Sequence, residues 1–258
     1  MDIDVLPDSC CPATGSTLWL GTGYAAYLGA SLRLDAHFGS VQCLAIGVDA
    51  PFTLRVPEFG ERTVRSALIP PRRTHQVVAR GERMLFCYFD PGSPRAKGCA
   101  ARMTAQDAGI GLNHEAEAAM IALVSGAGEV DPLRVLDAAG GTSNRPIDDR
   151  IADAIAALHA NPAAEITAAE LAAGAHLSTS RFLHLFSAQA GTSFRRYRLW
   201  ARMLHVGRAV SKGSDFTTAA MDAGFASPSH FSDAFHTMCG LTPSALFASG
   251  TRLVILDS

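Results

Sequence analysis

The sequence lacks long hydrophobic runs, paired cysteine motifs and a marked excess of charge of either sign. No apolar run approaches the length of a membrane-spanning helix, and residues 1–9 carry three acids where a secretory signal would be positive. The six cysteines form no CxxC pair, so neither a disulfide framework nor a structural zinc site is indicated. We therefore expect a cytoplasmic protein that does not enter a membrane.

Charge is scarce overall but concentrated in one place. Charged residues make up 18% of the 258 residues and the net charge is −2, so the whole chain has no electrostatic attraction for nucleic acid. Between Phe194 and Lys212, however, there are six lysines or arginines and no acid. Any affinity for DNA must come from such a local concentration of positive charge.

Two structural regimes divide the chain. Residues from about Leu18 to Asp90 form short segments rich in Val, Leu, Phe and Thr between glycines and prolines, which is typical of a β-sandwich or barrel. Alanine-rich helical patterns follow, and residues 140–147 hold the breakers of a linker. We predict an α+β protein of two domains, at 1–139 and 148–258. The predicted strands are Leu18–Gly21, Val41–Val48, Phe52–Val56, Val64–Pro70 and Arg83–Asp90, with helices at Glu115–Val124 and Pro132–Ala138.

An internal repeat at an offset of 49 residues is the strongest signal. Ser178–Phe186 and Ser227–Phe235 both read S-x-S-[RH]-F-x-x-x-F, and each is followed by a glycine at the same distance. A short alanine-rich helix and a turn precede each copy, and serine is a favoured N-cap. Because a short helix, a tight turn and a capped second helix make a helix-turn-helix, we predict two, joined by a helix over Phe194–Val210.

The polar faces of the repeated helices predict contact with DNA. Phenylalanines four residues apart anchor each helix on one face, which leaves short hydrogen-bonding side chains to reach base edges. Arginines at i, i+3 and i+7 of the connecting helix suit phosphates. The alternative is that these are ordinary polar faces of a helical bundle. The base-contact candidates are Ser180, Arg181, His184, Ser229, His230, Ser232 and Asp233, and the phosphate-contact candidates are Arg195, Arg198 and Arg202.

Residues 148–247 resemble the AraC/XylS family of transcription activators. The segment Ala223–Phe235 reads AGFASPSHFSDAF and is followed by GLTPS at 240–244, in the order of the family signature. The resemblance implies two recognition helices in successive major-groove segments, with base readout at the positions named above. Leu183 departs from the family pattern, which often has a polar residue there, and suits a thymine methyl group.

The N-terminal half is similar to the cupin-like sensing domains common in this family. Residues 69–75 read IPPRRTH and resemble the second cupin motif, while Asp35-Ala-His37 falls where the first would lie. The resemblance implies a cupin-like β-barrel that binds a small-molecule effector, with His37 and His75 as pocket candidates. A metal-binding cupin needs several histidines and a glutamate in the first motif, where only His37 is present. We therefore expect neither a metal nor another cofactor.

An apolar stripe on Glu115–Val124 predicts a surface for assembly. Such a stripe commonly packs on its own domain, but related regulators dimerise through helices at this position. We expect a homodimer with Ala116, Met120 and Leu123 at or beside the interface. The other expected partners are double-stranded DNA, an unidentified small molecule and, as a further candidate, RNA polymerase.

These patterns favour a DNA-binding transcription regulator over two alternatives. One alternative is a cupin-type enzyme with an accessory helical domain, which would need three or four metal ligands around one pocket. The chain also has no Ser-His-Asp arrangement, phosphate-binding glycine loop or HExxH motif that predicts catalysis. The other is an architectural DNA-binding protein, which would have no ligand-sized cavity in its β-domain.

Overall fold

The strands of the protein concentrate in its first half. The computed structural model describes residues 15–21, 23–90, 92–126, 128–141 and 147–256. Each of the five predicted strand segments overlaps a strand, whereas the strands at 24–30, 60–64, 76–78, 103–107, 110–114 and 252–255 were not predicted. The strands are β1 (Thr17–Gly21), β2 (Tyr24–Ala30), β3 (Gln42–Gly47), β4 (Phe52–Val56), β5 (Gly60–Val64), β6 (Ser66–Ile69), β7 (Gln76–Val78), β8 (Arg83–Phe89), β9 (Met103–Asp107), β10 (Ile110–His114) and, near the C-terminus, β11 (Arg252–Ile255).

These strands form two sheets that pack on each other. The larger sheet has the order β11-β1-β2-β8-β3-β6-β10-β9 and is not closed, and the smaller has the order β5-β4-β7. Alternation along β3 gives the large sheet two buried faces. Cys43 and Ala45 pack with the small sheet, and Leu44 and Ile46 pack with helices on the opposite side.

Three helices cover the outer face of the large sheet: α1 (Pro94–Ala101), α2 (Glu117–Ser125) and α3 (Pro132–Gly140). The sequence predicted α2 and α3 but not α1. Helix α1 begins where the Ser93 side chain accepts the backbone N–H of Ala96, with Pro94 in the first turn. Gly98 and Gly140 lie where α1 and α3 cross, since a β-carbon on Gly98 would be 1.7 Å from the Gly140 carbonyl oxygen.

The second half of the chain is helical, and the predicted α+β class with two domains is confirmed. The two helix-turn-helix units lie at 168–190 and 216–239 and are connected by the helix at 194–211. The proposed linker at 140–147 falls mostly on residues 142–146, which lie outside the described residues. The helices are α4 (Asp149–Ala160), α5 (Ala168–Gly174), α6 (Thr179–Ala190), α7 (Phe194–Ser211), α8 (Phe216–Asp222), α9 (Pro228–Cys239) and α10 (Pro243–Ala248).

The repeated residues set the ends of the two second helices. Ser178 and Ser227 cap α6 and α9, each by accepting a backbone N–H three residues further on, at 3.3 and 3.0 Å. Gly191 and Gly240 end the same helices in the left-handed conformation, with φ of 64° and 75°. Because side chains other than glycine rarely adopt that φ, the repeat encodes both the start and the stop of each helix.

The helical half packs against the large sheet. Strand β11 pairs in parallel with β1, so residues 252–255 extend the sheet of the N-terminal half. The Gly240 carbonyl at the end of α9 accepts the backbone N–H of Asp35 at 2.8 Å. No helix within the described ranges is both long enough and apolar enough to cross a membrane.

Candidate nucleic-acid interface and adjoining cavity

The first repeated helix, α6, presents its candidate DNA-contacting residues to solvent. Ser180, Arg181 and His184 are all exposed. The opposite face is fixed by Phe182 and Phe186, which are fully buried against aromatic residues of α7. Helix α6 therefore has the anchored face and the free polar face that were predicted. Whether these side chains read bases stays a prediction.

The second repeated helix, α9, has two different ends. At its N-terminal end Ser229, His230 and Asp233 are exposed and Ser232 is half-buried. The His230 ring stands edge-on to Phe225, with 5.5 Å between ring centroids. The C-terminal end carries Phe235, Met238 and Cys239, which face the N-terminal half of the chain. Only the first part of α9 is thus available to DNA in this arrangement.

The three candidate phosphate-binding arginines of α7 have different surroundings. Arg195 is exposed. Arg198 donates from Nη2 to the Ala164 carbonyl at 3.3 Å, and Arg202 donates from Nε to the Pro162 carbonyl at 3.1 Å. The last two therefore hold the segment between α4 and α5, which spacing along one helix could not reveal.

A cavity lies between the sheet and the helices of the second half. It encloses about 110 Å³, and its walls come from β1, β2, β3, β6 and β8 on one side and from α7 to α10 and β11 on the other. The sheet side of the lining includes Tyr27, Phe86 and Tyr88, and the helix side includes Trp200, Leu204 and Phe235. The predicted pocket residues His37 and His75 both line this cavity. No pattern in the sequence indicated that the helical half would supply the opposite wall.

His37 and His75 lie against each other in an isolated β-bridge. Each backbone N–H donates to the other residue's carbonyl at 2.9 Å, and the ring centroids are 4.3 Å apart. Burial lowers the pKa of both imidazoles, and the neighbouring His37 helps lower that of His75 to about 4. Both rings are therefore neutral at pH 7. Among the described residues, no group of three or more His, Cys, Asp or Glu is placed to hold a metal ion.

The C-terminal geometry agrees with a known domain family. A helix-turn-helix domain model matches residues 171–249, from within α5 to just past α10, and so spans both units described above. The C-terminal region is an AraC-type helix-turn-helix domain. The C-terminal region is accordingly a domain of the kind that binds DNA in transcription regulators, in agreement with the resemblance inferred from its sequence. No curated protein matches the chain in sequence.

Solved structures of ToxT share the two-domain fold, and another solved structure matches a smaller part of the chain. ToxT from Vibrio cholerae bound to an unsaturated fatty acid is 12% identical, with a TM-score of 0.56 over 90% of this chain and 98% of that chain. ToxT bound to (E)-4-(8-methylnaphthalen-1-yl)but-3-enoic acid is also 12% identical, with a TM-score of 0.54 over 88% and 99%. An AraC-type regulator from Chromobacterium violaceum is 21% identical over 39% of this chain and 90% of that chain, with a TM-score of 0.36.

A buried carboxyl that sequence reasoning missed joins the AraC-type domain to the sheet. Asp90, just after β8, accepts hydrogen bonds from the Tyr197 hydroxyl and from Trp200 Nε1, the latter at 2.6 Å. Burial raises the pKa of Asp90 to about 7, although both hydrogen bonds act to lower it. His159 of α4 lies 3.1 Å from the same Tyr197 hydroxyl through Nε2. The signal that could have revealed this site in the sequence is Asp90 itself, an acidic residue directly after an apolar strand.

The candidate dimer residues of α2 are not equally accessible. Met120 is fully buried in the core beneath α2, so it cannot itself contact a partner. Ala116 and Leu123 are half-buried beside it. Met120 packs on its own sheet, and the homodimer with these residues at or beside its interface stays a prediction.

Proposed function

We propose that this regulator reads DNA with the exposed faces of α6 and the first part of α9, and that a small apolar molecule in the cavity controls its binding. The observation that carries the proposal is the pair of capped, phenylalanine-anchored helices with free polar faces. Ser180, Arg181 and His184 on α6, with Ser229, His230, Ser232 and Asp233 on α9, supply hydrogen-bonding groups that suit base edges.

The cavity supports the regulatory part of the proposal. A molecule there contacts the sheet and the AraC-type domain at once, so it can favour one relative placement of the two over another. ToxT, which has a similar fold, has been crystallised with an unsaturated fatty acid and with a naphthalenyl butenoic acid. By that likeness we propose a small-molecule effector for this chain, in contact with His37 and His75.

Other properties follow from this function. We propose that the protein is not an enzyme, since the described residues bring together no catalytic constellation that we recognise. A cytoplasmic location fits a DNA target, and RNA polymerase is the partner that an activator would contact. We also propose a homodimer, because linking two DNA-binding domains raises the effective concentration of the second at its half-site.

Selection of DNA from a random library with the full chain tests the central claim. We expect enrichment of a defined sequence, to which the protein binds more weakly as salt increases. His230→Ala should change the preferred base at one position, whereas Ser244→Ala on α10, outside both units, should not. A full-length, folded protein that enriches no sequence would contradict the proposal.

A further inference from the structure

Resting on the proposed effector role of the cavity, we propose that its ligand is an uncharged, largely apolar molecule with a hydroxyl group. A phenol or an alcohol has this chemistry. The hydroxyl donates a hydrogen bond to the histidine pair, His37 and His75, and the hydrocarbon fills the space between the sheet and the helices. The ligand class thus differs from the carboxylic acids crystallised with ToxT.

The absence of fixed charge from the walls is the first argument. Of the described residues that line the cavity, none is lysine, arginine, aspartate or glutamate, and nearly all are apolar. A carboxylate moved from water into such a site loses its hydration and gains no cation in return. A neutral ligand avoids that cost.

The hydrogen bonds of the two histidines are the second argument. His37 Nδ1 lies 2.8 Å from the Asp35 carbonyl oxygen, and His75 Nδ1 lies 2.8 Å from that of Arg73. A carbonyl oxygen only accepts, so both Nδ1 atoms carry the proton. In a neutral ring the other nitrogen, Nε2, is then an acceptor. Within the described structure neither Nε2 has a protein partner, so both can accept a hydrogen bond from a ligand.

Two other polar side chains of the walls already donate their hydrogen atoms. The Tyr27 hydroxyl donates to the Ala30 carbonyl at 2.8 Å, and Trp200 Nε1 donates to Asp90. The Tyr88 hydroxyl and the Cys43 thiol lie close enough to shift each other's pKa. The two Nε2 atoms are therefore the ring nitrogens of the walls that have no hydrogen-bond partner in the described structure, and a ligand would orient its hydroxyl toward them.

The size of the cavity limits the ligand and suggests how it acts. The enclosed volume of about 110 Å³ is below the ~150 Å³ of an engineered apolar cavity that binds benzene. A molecule with one ring thus fills the cavity and presses on α7 and α9, which form the wall opposite the sheet. Such a ligand favours the more open placement of the AraC-type domain.

Three probes with one hydrocarbon frame test the ligand class on the full chain by titration calorimetry at pH 7.5. They are 4-ethylphenol, ethylbenzene and the anion 4-ethylbenzoate. We expect 4-ethylphenol to bind about five-fold more tightly than ethylbenzene, the contribution of one hydrogen bond, and 4-ethylbenzoate to bind more weakly than both. The Nε2 nitrogen resonances of the histidine pair should shift when 4-ethylphenol is added.

A matched pair of variants locates the hydroxyl. The double variant His37→Asn, His75→Asn keeps amides that can donate to the Asp35 and Arg73 carbonyls but has no atom at either Nε2 position, so the advantage of 4-ethylphenol over ethylbenzene should disappear. The double variant His37→Gln, His75→Gln places carbonyl oxygens near those positions and should retain part of the advantage. Unchanged binding of ethylbenzene to both variants shows that the cavity is intact, and the wild-type series decides the matter if a variant fails to fold.

The outcomes separate this inference from the proposed function. Tightest binding of 4-ethylbenzoate, or equal binding of 4-ethylphenol and ethylbenzene, would overturn the ligand class and leave the effector cavity in place. Binding of none of the three would overturn the ligand class and the cavity's effector role together. The expected order without any change in affinity for the selected DNA would support the ligand class and overturn control of DNA binding by the cavity.

Discussion

The chemistry of Asp90 departs clearly from what its position in the sequence indicates. Its carboxyl is buried between β8 and α7 with hydrogen bonds from Tyr197 and Trp200, and its pKa is raised from 3.8 to about 7. Between these two pH values the folded chain holds a proton that the unfolded chain has released. The contribution of Asp90 to stability therefore falls as pH rises from about 4 to about 7.

We predict that Asp90→Asn, which cannot ionise, changes the pH dependence of unfolding. The Tm of the variant minus that of the wild type should increase from pH 5 to pH 8. About 1.4 kcal/mol per pH unit, over the two units between pH 5 and the pKa of about 7, gives an upper bound of about 3 kcal/mol for the corresponding change in the free energy of unfolding. Thermal unfolding across that range measures it. Histidines with lowered pKa values, such as His75 and His159, give the opposite trend but cancel in the difference. A difference that stays constant with pH would contradict the prediction.

The arginines of α7 also differ as single residues. Arg195 is exposed and free to meet a phosphate, whereas Arg202 holds the Pro162 carbonyl. We predict that Arg195→Ala weakens binding to all sequences alike and lowers the salt slope by about one. Arg202→Ala should lower the Tm instead. Fluorescence anisotropy at several salt concentrations measures the slopes.

Lys97→Ala is the control for this comparison, because Lys97 is an exposed cation on α1, in the N-terminal half. It removes the same charge and should leave the slope unchanged. If Arg195→Ala and Arg202→Ala both lower the salt slope by the same amount and leave the Tm unaltered, both arginines contact phosphates instead.

Among the elements, β11 connects the two halves most directly by backbone hydrogen bonds. It pairs with β1, and the backbone N–H of Leu256, just beyond it, donates to the Leu20 carbonyl at 2.8 Å. We predict that Leu256→Pro, which removes this donor, accelerates hydrogen exchange in residues 252–255. Mass spectrometry of exchanged peptides measures the rate.

Leu256→Ala separates the side chain from the backbone in this test. It removes the partly buried side chain but keeps the N–H, so exchange in β11 should be slower than in Leu256→Pro. The same exchange rate in both variants would mean that packing, and not the hydrogen bond, holds β11 on the sheet.

For the whole molecule, the expected homodimer needs a surface that the chain does not bury itself. Met120 is excluded because it lies in the core, but Ala122 on the same helix is exposed. We predict that the full chain sediments as a dimer at micromolar concentration and that Ala122→Arg weakens the dimer at least ten-fold. Analytical ultracentrifugation provides the measurement.

Ala100→Arg, at an exposed position of α1, is the matched control and should leave the dimer intact. A wild-type chain that is monomeric in this range would refute the dimer. A dimer that tolerates Ala122→Arg would remain, with its interface away from this face of α2.

The sequence by itself determined the AraC-type domain. The signals that define it, which are serine caps, glycine stops and paired phenylalanines, act within about a dozen residues. The ends of α6 and α9 therefore lie where the repeat predicts them, at Ser178 and Gly191 and at Ser227 and Gly240. The strands that contain apolar runs could be predicted for the same reason, since an apolar run is also a local feature of the sequence. Strands β9 and β10 were not predicted, although they pair with each other in a local hairpin, because their residues, MTAQD and IGLNH, contain no apolar run.

Only the tertiary structure decided what lies between the two halves. His37 and His75 are 38 residues apart, Asp90 and Tyr197 are 107 apart, and β11 pairs with a strand at the opposite end of the chain. Contacts over such separations leave no periodic pattern in the sequence, since each depends on how whole elements pack. The cavity, its neutral histidine pair and the buried Asp90 are therefore properties of the assembled chain, whereas the DNA-binding helices are properties of its local sequence.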